Sequence, residues 1–318
     1  MSSPQIFRSR PPAVTDVARV SPAQGRLPNF VVVGAMKAGT TSLYHYLRPH
    51  PQVFMPKIKE LDFFAEGMNW ERGLDWYRHQ FAAAPREATA LGEASTVYAK
   101  FPRYQGVAER MERVLPDVRP IYVVRHPIDR IRSHYEHRVA SGAETAPMED
   151  AVFDNPIYID YSCYALQVEQ YLEHFPREQL LIISSEELRH HRESTMRRVY
   201  DFLAVDPEYV APTLSQEFYK TGQRRTYPPV VWSIRQALKR RFPQTKRAKE
   251  LVDSLASRRR RVPVRSVATI DDSARPSSTD RTQELSNEAR SRLDDRLRDD
   301  VCRLRQYMTD TFDGWGIA

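Results

Sequence analysis

The sequence predicts a three-layer α/β fold, a central parallel sheet flanked by helices, with a helical C-terminal part. Three observations point there. The runs Phe30–Val33, Pro120–Val124 and Leu180–Ser184 are apolar and of strand length. Helical stretches separate them, as parallel strands joined by crossover helices require. Leu293, Leu297, Val301, Leu304 and Met308 then recur at helical spacing over 284–308 and mark a final helix.

Taken in order, residues 1–28 are rich in Pro, Ser, Ala and Arg without periodicity. They are expected to form a disordered tail ahead of one domain over 29–318. The first strand ends at Gly34, and the loop Gly34-Ala35-Met36-Lys37-Ala38-Gly39 leads into a helix over Thr40–Leu47. Pro49 and Pro51 stop that helix. The second strand runs through Arg125-His126-Pro127 into a helix from Ile128 to about Ala140, and a helical stretch over 164–175 leads into the third strand. From Val230 to Arg265 the chain turns basic, with Arg235, Lys239, Arg240, Arg241 and the run Arg258–Arg261. Residues 266–281 read as a polar loop. The whole stretch of about 230–281 is either a solvated basic face or a positive cover over an anionic substrate.

Composition narrows the function. At 318 residues, 41% of them hydrophobic, the chain can bury a core, which excludes a wholly disordered protein. No apolar run approaches the roughly 20 residues that span a bilayer, and without an apolar h-region in residues 1–28 no secretory signal is expected. A cytoplasmic protein is expected. Cys163 and Cys302 cannot build a disulfide framework or a cysteine-based zinc site, and both are expected to be buried apolar side chains. The net charge of +7 points to anionic partners without choosing among them.

The loop after the first strand narrows the choice. A strand, a glycine-bounded loop and a helix N-terminus make an anion site, because unpaired backbone N–H groups and the helix dipole face the ligand. Gly34 and Gly39 keep the glycine spacing of a Walker A loop, so the unit is P-loop-like, but Thr40 stands where the Walker lysine belongs. The lysine has moved into the loop, as Lys37. There it suits a 5′-phosphate and the group attached to it, with Thr40, Thr41 and Ser42 adding hydroxyls. A second anion site is expected at Arg125, on a strand end, with Ser133 about two helical turns further on. Two separate phosphate sites suit a 3′,5′-bisphosphorylated nucleotide.

On these residues the chain resembles the PAPS-dependent sulfotransferases, which use 3′-phosphoadenosine 5′-phosphosulfate (PAPS) and release the bisphosphate PAP. Lys37-Ala38-Gly39-Thr40-Thr41-Ser42-Leu43 looks like their 5′-phosphosulfate loop, and the Arg125-to-Ser133 segment like their 3′-phosphate motif. The likeness is greatest to the heparan-sulfate type and its bacterial relatives. Lys59-Glu60-Leu61-Asp62-Phe63-Phe64, Gly73-Leu74-Asp75-Trp76-Tyr77, Gly92-Glu93-Ala94-Ser95 and the late basic loop 219–228 carry it. Two departures stand out. Ala94 replaces a frequent lysine, and only Arg225 matches in the late loop.

The resemblance implies a sulfotransferase with PAPS as donor, PAP as product and no metal. The donor would be held by Lys37, Ala38, Gly39, Thr40, Thr41, Ser42, Arg125, Ser133, Tyr164 and Arg225. Glu60 would be the general base and Lys37 would stabilise the leaving phosphate. Phe63 and Phe64 would lie beside the Glu60 carboxylate. His134 is a second candidate base. Lys59, Phe63, Phe64 and Glu93 would meet the acceptor, a hydroxyl or amine on a glycan, a glycolipid or a small metabolite. No nucleic acid is expected as partner, and contact with a membrane surface fits the charge. The residues also leave open a P-loop-like nucleotide kinase or NTPase, a nucleic-acid binder, and a non-catalytic protein that binds PAP or polyanions.

Overall fold

Five short strands pair in parallel into one sheet: β1 (Phe30–Gly34), β2 (Val53–Phe54), β3 (Ala90–Ala94), β4 (Arg119–Val124) and β5 (Leu181–Ser184), in the order β2-β3-β1-β4-β5. The computed structural model describes residues 25–216, Phe218 and 284–318. Residues 1–24 of the expected tail, the basic stretch over about 230–281 and Arg225 lie outside the described residues. Every residue of β1 and β3 is buried, as expected of parallel strands covered on both faces. The covering helices are α1 (Thr40–Leu47), α2 (Gly73–His79), α3 (Val107–Val114), α4 (Pro127–Ser141), α5 (Met148–Asp154), α6 (Ile157–Asp160), α7 (Tyr164–Leu172), α8 (Ser185–His190), α9 (Arg192–Leu203) and α10 (Asn287–Arg305).

Strand order fixes where a ligand can go. β1 lies mid-sheet, and the chain leaves it first toward β3 and later toward β4. In open parallel sheets the crevice beyond the strands' carboxyl ends, at such a reversal, receives ligands. Sterics set the pairing there. A Cβ on Gly92 would come within 2.2 Å of the Phe30 ring, so glycine lets that ring lie across β3 opposite its register partner. A Cβ on Gly34 would meet the Ala99 Cβ at 2.7 Å. The β1–β4 register slips between Val32 and Gly34, a bulge that turns the chain out of the sheet into the loop.

The final helix α10 buries Leu293, Leu297, Val301 and Leu304, as the repeat predicts. The first three join Ile128 and Ile131 of α4 and Tyr158 of α6 in a second core beside the sheet. Asp300 does a different job. The N-cap of α7 is Cys163, which makes no side-chain cap, and the Asp300 carboxylate instead accepts from the backbone amides of Ala165 and Leu166, at 3.0 Å each. An interior carboxylate thus satisfies two of the orphan donors of that helix start. Asp300→Ala is expected to cost about 1–3 kcal/mol, seen as a lower Tm in thermal unfolding, with Asp300→Asn losing less. The cysteines split: Cys163 is half-buried, and burial pushes its thiol up to about 12, whereas Cys302 is exposed on α10. The expectation of two buried cysteines is therefore met only in part at Cys163 and fails at Cys302, which sits on the solvent side of an amphipathic helix. Among the described residues, no helix is long and apolar enough to cross a membrane.

Candidate active site

The carboxyl ends of β1, β3, β4 and β5 open on one cleft of about 390 Å³. Its first wall is the loop after β1. Gly39 caps α1 with φ 105° and Lys37 has φ 75°, both left-handed, which curls the loop ahead of the helix. Lys37, Gly39, Thr40 and Thr41 line the cleft. The first-turn amides of α1 have no intrahelical acceptor and add donors there. Two loop residues are placed differently. The Ala38 side chain is fully buried, and the Ser42 hydroxyl donates to the Phe218 carbonyl at 3.2 Å, so neither side chain lines the cleft.

The second wall comes from β4 and α4. Pro127 at the first turn suits a helix starting directly after the strand. Arg125 at the strand end and Ser133 on the helix both line the cleft. Arg125 donates to the Lys37 carbonyl at 3.3 Å, tying the two anion-binding segments together. Tyr164 is not a ligand residue. It is fully buried, and its hydroxyl donates to the Arg125 carbonyl at 2.7 Å. It supports the strand end instead of meeting a base. His134 is also enclosed: 3% exposed, beside Arg130 and between Tyr158 and Tyr161. Burial, then the Arg130 charge, holds its ring far below the usual histidine range, so it stays neutral and out of the cleft.

Glu60 sits on the third wall, on the turn before Phe63. Its Oε2 accepts from the Thr96 amide at 2.8 Å and the Thr96 hydroxyl at 3.1 Å. Its Oε1 lies 2.5 Å from Lys59 Nζ, which also reaches Thr40 Oγ1 at 3.4 Å. Lys59 therefore bridges the carboxylate and the start of α1. The partners of Glu60 are polar, not the rings of Phe63 and Phe64 expected from sequence. Those rings are buried in the core, where Phe63 stacks on Tyr77 at 4.3 Å and Phe64 packs against Tyr98. They have no surface to offer an acceptor. Nor has Glu93, which is 1% exposed and bonded to Tyr77, Ser95 and Tyr98. Burial pushes its carboxyl up to about 7, against the pull of those hydrogen bonds.

Sequence reasoning missed Thr96, Lys100, His137, Ser185 and Arg189, all of which line the cleft. Two had a legible signal. His137 is one helical turn past Ser133, and Ser185 follows β5 directly. Ser184 closes that strand and caps α8 in a reciprocal capping box with Glu187, which sets Ser185 and Arg189 on the rim. Lys100 had none. Ala94, at the place of the frequent lysine, is itself buried, and Lys100 brings a cation to the cleft instead. Burial pulls its ammonium below the usual lysine range, while Glu60 and Asp62 pull it back up. Among the described residues, no group of three or more His, Cys, Asp or Glu is arranged to hold a metal ion.

A family model described as the sulfotransferase domain matches residues 27–246. The bifunctional heparan sulfate N-deacetylase/N-sulfotransferase 3 of Homo sapiens is 32% identical over 206 residues, which cover 58% of this chain and 23% of that protein. The heparan sulfate glucosamine 3-O-sulfotransferase 3A1 of Mus musculus is 32% identical over 192 residues, covering 57% and 46%. The chain thus spans less than half the length of either relative. The crystal structure of a sulfotransferase from Alicyclobacillus acidocaldarius superposes with a TM-score of 0.54 at 31% identity, covering 72% of this chain and 96% of that one.

Proposed function

The chain belongs to the sulfotransferase domain family, and from that premise we propose that it moves a sulfuryl group from PAPS to a hydroxyl or amine of a carbohydrate acceptor. One observation carries the reading. The Lys37 loop, the Arg125–Ser133 pair and Glu60 line a single cleft, with Lys59 between the loop and the carboxylate. Two cationic sites, at Lys37 and at Arg125, suit a nucleotide with a charged group at each end of its ribose. Lys37 and Thr41, with the first-turn amides of α1, would hold the 5′-phosphosulfate. Arg125 and Ser133 would hold the 3′-phosphate.

The chemistry then follows from the hydrogen bonds. Thr96 already fills Glu60 Oε2, so Oε1 is the oxygen that takes the acceptor proton once Lys59 turns away from it. As the acceptor oxygen or nitrogen bonds to sulfur, the bond from sulfur to the bridging oxygen breaks. Negative charge then collects on the departing phosphate beside Lys37. Fixed cations aimed at developing charge are the largest usual source of such rate gains. The heparan-sulfate relatives support a sugar acceptor.

A calorimetric titration tests the donor. PAP is expected to bind in the micromolar range without metal and ATP–Mg²⁺ far more weakly. Arg125→Ala is expected to weaken PAP by about 10- to 100-fold, the worth of a charge-assisted contact to phosphate. Adenosine 5′-phosphosulfate, which lacks the 3′-phosphate, should lose much less. Preference for ATP–Mg²⁺ would replace this reading with a nucleotide kinase. Labelled PAPS offered to N-desulfated heparin oligosaccharides tests the acceptor, and transfer only to lipid or metabolite hydroxyls would reassign it.

A further inference from the structure

The turn that carries Glu60 is held from behind by a carboxyl group that never meets solvent. Glu60 and Asp62 both have left-handed backbones, with φ 64° and 52°. Each such residue costs about 1–2 kcal/mol unless its surroundings impose the conformation. The surroundings here are the end of β3 and the residues after it. The Glu60 amide donates to the Ala94 carbonyl at 2.9 Å. The Asp62 amide donates to Ser95 Oγ at 3.0 Å. The amides of Phe63 and Phe64 both donate to Tyr98 Oη, at 2.7 and 3.3 Å.

Glu93 decides which way those two hydroxyls point. A hydroxyl has one proton. Ser95 gives its proton to Glu93 Oε2 at 2.5 Å, and Tyr98 gives its own to Glu93 Oε1 at 2.8 Å. With Glu93 ionised both protons are committed, and the lone pairs of both oxygens face the turn and accept its amides. Tyr77 also donates to Glu93 Oε1, at 2.9 Å, but none of its hydrogen bonds reaches the turn.

We propose that Glu93 is a positioning residue for sulfuryl transfer: through Ser95 and Tyr98 it fixes the amides of residues 62–64, and so holds the Glu60 carboxylate against Thr96 and Lys59. The proposal rests on the reading of Glu60 as the base. It gives the buried Glu93 a task that contact with an acceptor cannot.

Single variants Ser95→Ala, Tyr98→Phe and Glu93→Gln separate this from plain stabilisation, with Tyr77→Phe as the comparison. Hydrogen exchange of the full chain is expected to quicken at residues 62–64 in Ser95→Ala and Tyr98→Phe, relative to β1. Tyr77→Phe should leave that ratio alone. With labelled PAPS and N-desulfated heparin oligosaccharide, kcat should fall by about 10- to 100-fold, as a small misplacement of a reacting group costs. PAP affinity should stay unchanged, and Tyr77→Phe should keep turnover near wild type. On a Glu60→Gln background the same changes should cost nothing further, because they act through that carboxylate. Unchanged exchange at 62–64, or losses that multiply with Glu60→Gln, overturns the proposal. If Glu60→Gln alone turns over like wild type, the base assignment has failed. Exchange needs no acceptor and still judges the pinning by itself.

Discussion

Glu60→Gln is expected to lower kcat by about 10²- to 10⁴-fold, the usual worth of a positioned general base, and to leave PAP binding intact. The amide keeps the shape of the side chain, and its oxygen can still accept from Thr96. What it loses is the capacity of Oε1 to take a proton. The backbone at Glu60 is left-handed in both proteins, so no conformational term separates them. The Lys59 ion pair is lost as well, but with side chains 18% and 36% exposed it is a partly solvated contact of small worth. Stability should therefore barely move while turnover collapses. Steady-state kinetics beside PAP calorimetry measures both, and near-normal kcat would remove Glu60 from the mechanism.

Lys37→Ala is expected to lower kcat by about 10²- to 10³-fold, as the loss of one preorganised donor to developing charge does elsewhere, and to weaken donor binding too. Two comparisons separate charge from backbone. Lys37 has φ 75°, and alanine bears that conformation no better than lysine does. Lys37→Gly relieves the strain and should nonetheless fail as badly. Lys37→Arg keeps the charge but spreads it over a planar fork, and should recover only part of the rate. Full activity in Lys37→Gly would mean that the loop amides alone carry the phosphosulfate.

Much of the fold was legible because the elements that build the donor side are locally coded. The strand from Phe30, its glycine-bounded loop and the helix over Thr40–Leu47 lie where patterning put them, as do β4 and α4. β2 was illegible at two residues, and β3 has Glu93 in the middle of a fully buried strand, which apolar patterning cannot see. The motif likeness did find that segment, though not which way its side chains face. The resemblance drew Phe63, Phe64, Glu93 and Tyr164 into the site, yet all four are enclosed. For Phe63 and Phe64, three and four residues past Glu60, proximity along the chain is not access to the cleft. Lys100 shows the converse: six residues past β3, it reaches the cleft only because the chain folds back there.

The charge balance of the cleft bears on kinetics as much as on affinity. Among the described lining residues, Lys37, Lys59, Lys100, Arg125 and Arg189 face the single carboxylate of Glu60. A concave positive surface of this kind steers polyanions inward and speeds their encounter, most strongly at low ionic strength. The same field acts on the bisphosphate left behind, which keeps most of the donor's charge. On the proposed reaction, fast capture is then coupled to slow departure, and turnover at saturation is expected to be limited by product escape. Moderate salt should then slow the enzyme when donor is scarce and quicken it when donor is abundant.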